Sequence, residues 1–92
     1  MRYRKKPVVV DAFRIPSGDE GAEPFTRWAE EMGLFGHFEW VYADGLESAA
    51  VLIRTLEGTM RGDPGDWVIR GVKGEFYPCK DEIFRQTYEA VR

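Results

Sequence analysis

The seventeen residues Pro64-Gly65-Asp66-Trp67-Val68-Ile69-Arg70-Gly71-Val72-Lys73-Gly74-Glu75-Phe76-Tyr77-Pro78-Cys79-Lys80 leave the backbone few choices. A Pro-Gly turn opens the stretch, and two short apolar runs flank a loop bounded by Gly71 and Gly74. Glycine and proline at that density punctuate strands, so the stretch predicts a tight β-hairpin, Asp66 to Arg70 against Glu75 to Cys79. A chain of 92 residues has room for one modest core, and a single domain over residues 1–92 is expected.

Upstream, Val8 to Ile15 reads as a strand. Its opening Val8-Val9-Val10 is β-branched and apolar on both faces, which predicts an inner strand covered on both sides. Pro16-Ser17-Gly18-Asp19-Glu20-Gly21 is a loop by composition, and Pro24 suits the first turn of a helix, where its missing N–H costs nothing. Phe25, Trp28, Ala29 and Met32 then recur at helical spacing, with Arg27, Glu30 and Glu31 on the other face and Gly33 as the stop. The aromatic stripe is read as core.

Leu34 to His37 is a connector, and Phe38 to Tyr42 alternates as a short strand before an Asp44-Gly45 turn. Ala49 to Thr55 is the second strong strand, and a Glu57-Gly58 turn folds Thr59-Met60-Arg61 back on it. Asp63-Pro64-Gly65 breaks that line. Lys80 to Arg85 predicts a helical turn with Ile83 and Phe84 on the sheet, and Thr87 to Val91 a closing strand. The expected fold is α+β: a small, mostly antiparallel, strongly bent β-sheet with one main helix packed on it.

Charge narrows the partners. A net charge of −3 and a pI near 5.1 argue against a general nucleic-acid binder, which would present a basic face. The basic start Arg2, Arg4, Lys5 and Lys6 reads as a solvated arm, with an anion contact as the alternative. One cysteine, Cys79, excludes an internal disulfide. No apolar run resembles a secretion signal or approaches the roughly 20 residues that span a bilayer, so a cytoplasmic protein is expected.

Catalytic and metal chemistry find little footing. Cys79 as a nucleophile lacks a base other than the lone His37, and one Cys with one His makes no zinc site. Glu30 and Glu31 point in different directions from adjacent helix positions. No enzyme, cofactor or metal is expected. The Pro-Gly-Asp-Trp turn has glycine's freedom to approach an anion but not the spacing of a phosphate loop, and turn chemistry explains it.

One constellation suits a ligand. Period-2 alternation puts Trp67 and Ile69 on one face of the hairpin. If Trp67, Ile69, Phe76 and Pro78 line the core, then Asp66, Arg70, Glu75, Tyr77 and Cys79 crowd the other face, with Arg61 and Lys80 nearby. A ring among cations stacks on a base and binds phosphate, so Arg61, Trp67, Arg70, Lys73, Tyr77 and Lys80 are the candidate ligand-binding residues. The alternative is a solvated face with a cross-strand Arg70–Glu75 pair, worth about a few tenths of a kcal/mol.

The hairpin block, together with Leu56-Glu57-Gly58-Thr59-Met60-Arg61 before it and Ile83-Phe84 and Thr87-Tyr88-Glu89 after it, resembles a family of small proteins encoded by bacteriophages and prophages. The opening Met1-Arg2-Tyr3-Arg4-Lys5-Lys6-Pro7-Val8 is similar to that family's usual start. The family pattern carries a proline after the Cys-Lys pair, where this chain has Asp81. The resemblance implies a phage context and no established catalytic residue. The expectation is a small non-catalytic phage protein that binds a nucleotide-type signal or a host protein, possible roles being inhibition of host defence or, in the alternative, phage assembly. A nucleotide-acting enzyme ranks last. A homodimer is expected as well, since an interface would bury aromatic surface that a short core leaves out.

Overall fold

In the computed structural model, which describes residues 1–4, 6–17, 21–34, 36–41 and 49–91, the hairpin forms one residue out of the expected register. The described elements are β1 (Asp11–Arg14), α1 (Glu23–Met32), β2 (Phe38–Val41), β3 (Ala50–Thr55), β4 (Gly58–Gly62), β5 (Trp67–Arg70), β6 (Phe76–Cys79) and α2 (Asp81–Thr87). The fold is α+β with every strand pair antiparallel, as expected. Instead of one bent sheet there are two three-stranded sheets, β1-β5-β6 and β2-β3-β4. The expected Asp44-Gly45 turn lies outside the described residues.

Turn chemistry explains both differences. Asp63 to Asp66 is a tight turn with Pro64 second and Gly65 third at φ 89°, closed by the Asp66 N–H donating to the Asp63 carbonyl at 2.9 Å. It carries the chain out of one sheet and into the other. In the hairpin, the Gly71 N–H bonds the Glu75 carbonyl at 2.7 Å, the Gly74 N–H bonds the Gly71 carbonyl at 3.0 Å, and Gly74 takes φ 82°. The loop proper is therefore the three-residue type with a left-handed glycine, and Arg70 faces Phe76 rather than Glu75. A one-residue shift moves every side chain of a strand to the other face. The expected grouping of Trp67 and Ile69 with Phe76 and Pro78 is thus corrected: Trp67 and Ile69 share a face with Tyr77 and Cys79, while Val68 and Arg70 share the other with Phe76 and Pro78.

The core sits between the sheets. Ile15, Phe25, Ala29, Leu34, Val51, Ile53 and Val68 are buried there, ringed by Phe13, Trp28, Phe38, Trp40 and Phe76. The α1 stripe reads as expected, with Pro24 in its first turn and Gly33 at φ 85° ending it. The Leu34 N–H reaches back to the Ala29 carbonyl at 2.8 Å, and the Gly33 N–H to the Glu30 carbonyl at 3.2 Å. This double cap swings Leu34, read as mere connector, into the core. The helix lies loosely on the sheets and reaches them through its rings: Phe25 packs on Phe13, Phe38 and Trp40 with centroids 5.4–6.1 Å apart.

Two further expectations are corrected. Val8-Val9-Val10 is not an inner strand, because β1 starts at Asp11 and is the edge of its sheet, which leaves Val8 and Val9 exposed. Thr87 to Val91 is not a strand. Instead α2 runs to Thr87, and the Tyr88 N–H bonds the Phe84 carbonyl at 2.9 Å, laying the two rings together at 5.1 Å. Phe84 does fold onto the sheet, stacked on Trp67 at 4.0 Å, but Ile83 points to solvent.

The two sheets meet at Gly62, the buried end of β4. A Cβ there would stand 2.6 Å from Cδ1 of Ile15 and 3.3 Å from Cβ of Pro78, and Ile15 is itself fully buried. Gly62→Val is expected to destabilise the protein by about 1–3 kcal/mol through overpacking, read as a lower urea midpoint with an unchanged slope.

Candidate functional site

The six candidate ligand residues separate into two ends of the hairpin. At the base, Lys80 donates to Asp63 at 3.1 Å and to Asp66 at 2.9 Å, and Arg61 donates to Asp63 at 2.8 Å. Asp66 is only 8% exposed and also accepts the Asp63 N–H at 2.9 Å. These contacts fasten the Pro64-Gly65 turn to the strand that follows the hairpin. The Lys80 and Arg61 hydrogen bonds hold the Asp63 carboxyl below its ordinary 3.8, and Asp66 followed by Asp63 raises the Lys80 ammonium above its ordinary 10.5.

Trp67 also belongs to this end. Its Nε1 donates to Asp81 at 2.9 Å, and its ring lies parallel to Phe84. Asp81 sits in the first turn of α2 and receives Arg85 at 3.0 Å as well. The Trp67 hydrogen bond, then Arg85, lowers its carboxyl from 3.8. Helix α2 therefore covers the face on which Trp67 and Tyr77 lie. Burial, then a hydrogen bond to Tyr88, pushes the Tyr77 phenol up to about 12. The Cys79 thiol is pushed up from 9.0 by burial and then by the charge of Asp66, which keeps it protonated at neutral pH.

Arg70 stands apart from both groups. The register sets it beside Asp11 of β1, with an ion pair of 3.8 Å, so the expected Arg70–Glu75 partnership is replaced. Glu75 instead folds back over its own loop and accepts the Lys73 N–H at 3.1 Å. A Cβ on Gly71 would overlap that carboxylate.

At the opposite end, an open cleft of about 900 Å³ lies between the two hairpin tips and the connector after α1. Lys73 and Tyr77 line it, the two candidates that the fold brings together. The remaining wall was missed in the sequence: His37 from the connector, and Arg54, Leu56, Glu57 and Met60 from the β3–β4 hairpin. Phe76, half-buried against Trp28 at 6.4 Å, closes the back. Arg54 carried a signal, being the one charge in Ala50-Val51-Leu52-Ile53-Arg54-Thr55, on the opposite face from the buried Val51 and Ile53. The charged groups that line the cleft are Arg54, Lys73, Glu57 and Glu75.

Among the described residues, no cluster of three His, Cys, Asp or Glu side chains is placed to hold a metal ion, and no helix is long and apolar enough to cross a membrane. Compared with protein-family models, curated proteins and solved structures, the chain matches none.

The ionic staple at the hairpin base generates a pH profile. Asp63 has a folded value below 3.8, so its contribution is complete above about 3.8 and is lost as pH falls through the folded value. Lys80 has a folded value above 10.5, so its contribution is complete below 10.5 and is lost as pH rises through the folded value. Lys80→Met is expected to cost about 1 kcal/mol at pH 7, small because the ammonium is largely exposed. Urea midpoints measured from pH 2 to 11 should show the variant with a smaller acid-side loss, since Asp63 then lies nearer its ordinary value, and without the alkaline fall due to Lys80.

Proposed function

We propose that this chain is a small non-catalytic binding protein whose ligand occupies the cleft between the hairpin tips. The observation that carries the reading is that cleft: about 900 Å³, with cations on two of its walls and an apolar back. A volume of that order suits a drug-sized or nucleotide-sized molecule. A base lies against Leu56, Met60 and Phe76, while Arg54 and Lys73 meet a phosphate, Arg54 in bidentate fashion. Tyr77 borders the same space, with its hydroxyl engaged by Tyr88.

The resemblance to phage and prophage proteins adds the setting. In this reading the protein works in the cytoplasm of a bacterial host and sequesters a nucleotide-type signal of host defence, and the chemistry required is stoichiometric capture rather than turnover.

A thermal-shift screen against mononucleotides, cyclic dinucleotides and adenosine diphosphate ribose derivatives tests it. A ligand at 100 times its Kd adds about 2.7 kcal/mol, a shift of several degrees or more for a domain of this size. The double variant Arg54→Ala with Lys73→Ala should keep its own melting temperature and lose at least tenfold in affinity. A flat screen overturns the nucleotide reading and leaves a host protein as the partner to be sought by pull-down.

A further inference from the structure

The most strand-prone triplet in the chain is the one the fold leaves unused. Val8 and Val9 are 46% and 73% exposed, and β1 begins only at Asp11. The described residues among 1–10 form no helix or strand and are exposed up to Val9. The molecule measures 48 × 28 × 24 Å with a radius of gyration of 13.9 Å, against about 12 Å for a compact domain of this length. Those values fit an arm standing off the body.

This arm leads straight into a bare sheet edge. The N–H and carbonyl of Ile15 bond Asp66 and Gly65 at 2.7 and 2.9 Å, so alternation along β1 aims the backbone groups of Asp11 and Phe13 at β5 and those of Ala12 outward, and the same alternation continued into the arm would turn Val8 and Val10 outward as well. No strand pairs with that side among the described residues. Charge divides the same way. Residues 1–10 contain Arg2, Arg4, Lys5 and Lys6 and no carboxylate, a charge of +4, which leaves −3 − 4 = −7 on the rest of the chain. Among the described residues, Arg2, Arg4 and Lys6 make no ion pair.

We infer that the arm pairs with a second copy of this chain in antiparallel register about Val9, so that β1 of each copy lies beside the other's arm and two three-stranded sheets join into one of six. The charge division selects a second copy over another partner: each arm is basic, and each body supplies the opposite sign. A parallel pair would set all the cations of the two arms side by side, whereas antiparallel pairing about Val9 leaves one like-charge pair, Arg4 opposite Arg14. The outward set allows a symmetric register with Val9 opposite Val9 on the two-fold axis and Val8 opposite Val10 on both sides. Pro7 then falls where no N–H is needed by the pair, and Lys6 meets Ala12.

Sedimentation velocity of the full chain from 1 to 100 μM is the test. The wild type should be dimeric at the upper end, and the dimer should weaken as salt rises. Val8→Pro, which removes one outward N–H from each arm, and Val9→Lys should both shift the chain to monomer. Both sites are exposed in the single chain, so its melting at low concentration should not change. In a Cys79→Ser background, Val9→Cys should oxidise readily to a covalent dimer, because directly opposed residues at a non-hydrogen-bonded position have Cα atoms about 4.5 Å apart, and Val8→Cys should cross-link far more slowly. A wild type monomeric at 100 μM overturns the inference. So does a dimer that survives Val9→Lys and is lost instead when the bare edge of β4 is blocked by Thr59→Pro.

Discussion

The ring of Phe25 meets Phe13 of one sheet and Phe38 and Trp40 of the other, with all three centroids within 6.1 Å and all three contacts edge-on. Edge-to-face pairs of this kind contribute roughly 0.5–1.5 kcal/mol each beyond the area they bury. Without it α1, which approaches the sheets only loosely, would lose its anchor, while the sheets would still meet where β6 packs on β3 and β4 and at Gly62. A chain of 92 residues with one small core depends on such a contact heavily.

Around that centre the molecule has two unlike ends. At the hairpin base, charges are paired off: Arg61, Lys80, Asp63 and Asp66 form a network that stitches a turn, and Asp81 ties Trp67 to α2. Each pair is weak because its cation is largely exposed, and the near-buried Asp66 is held as well by the Asp63 N–H. At the tips, the side chains of Lys73, Arg54 and Glu57 border open space. The base is thus tied up in stability, and the proposed recognition rests on the tips. The sequence reading pooled cations from both ends into one face, and the fold separates them.

Elements were legible where local chemistry dictates them. The i, i+3, i+4, i+7 stripe of α1, the glycine that ends it, the Pro-Gly turn and the alternation of β3 and β5 depend on neighbours a few residues away. The closing strand was misread because Phe84 and Tyr88 satisfy each other across one helical turn, a contact that Thr and Tyr propensity for strands does not reveal. Lys73 and Tyr77 were legible as candidates because they sit in the hairpin. His37 and Arg54 were not, since they reach the cleft from segments about twenty to forty residues away in sequence.

By itself, then, the sequence determined the composition of the faces: which residues alternate, where the backbone must turn, and that a basic arm precedes an acidic body. Tertiary structure alone decided which faces meet. A three-residue loop in place of four shifted β6 by one position, and that shift put Tyr77 beneath α2 beside Trp67 and set Arg70 against Asp11. The physical reason is that side-chain direction in a strand has period two, so local pattern specifies two alternating sets but not their partners. Partnership depends on a loop's hydrogen bonds and on the core that the second sheet brings across.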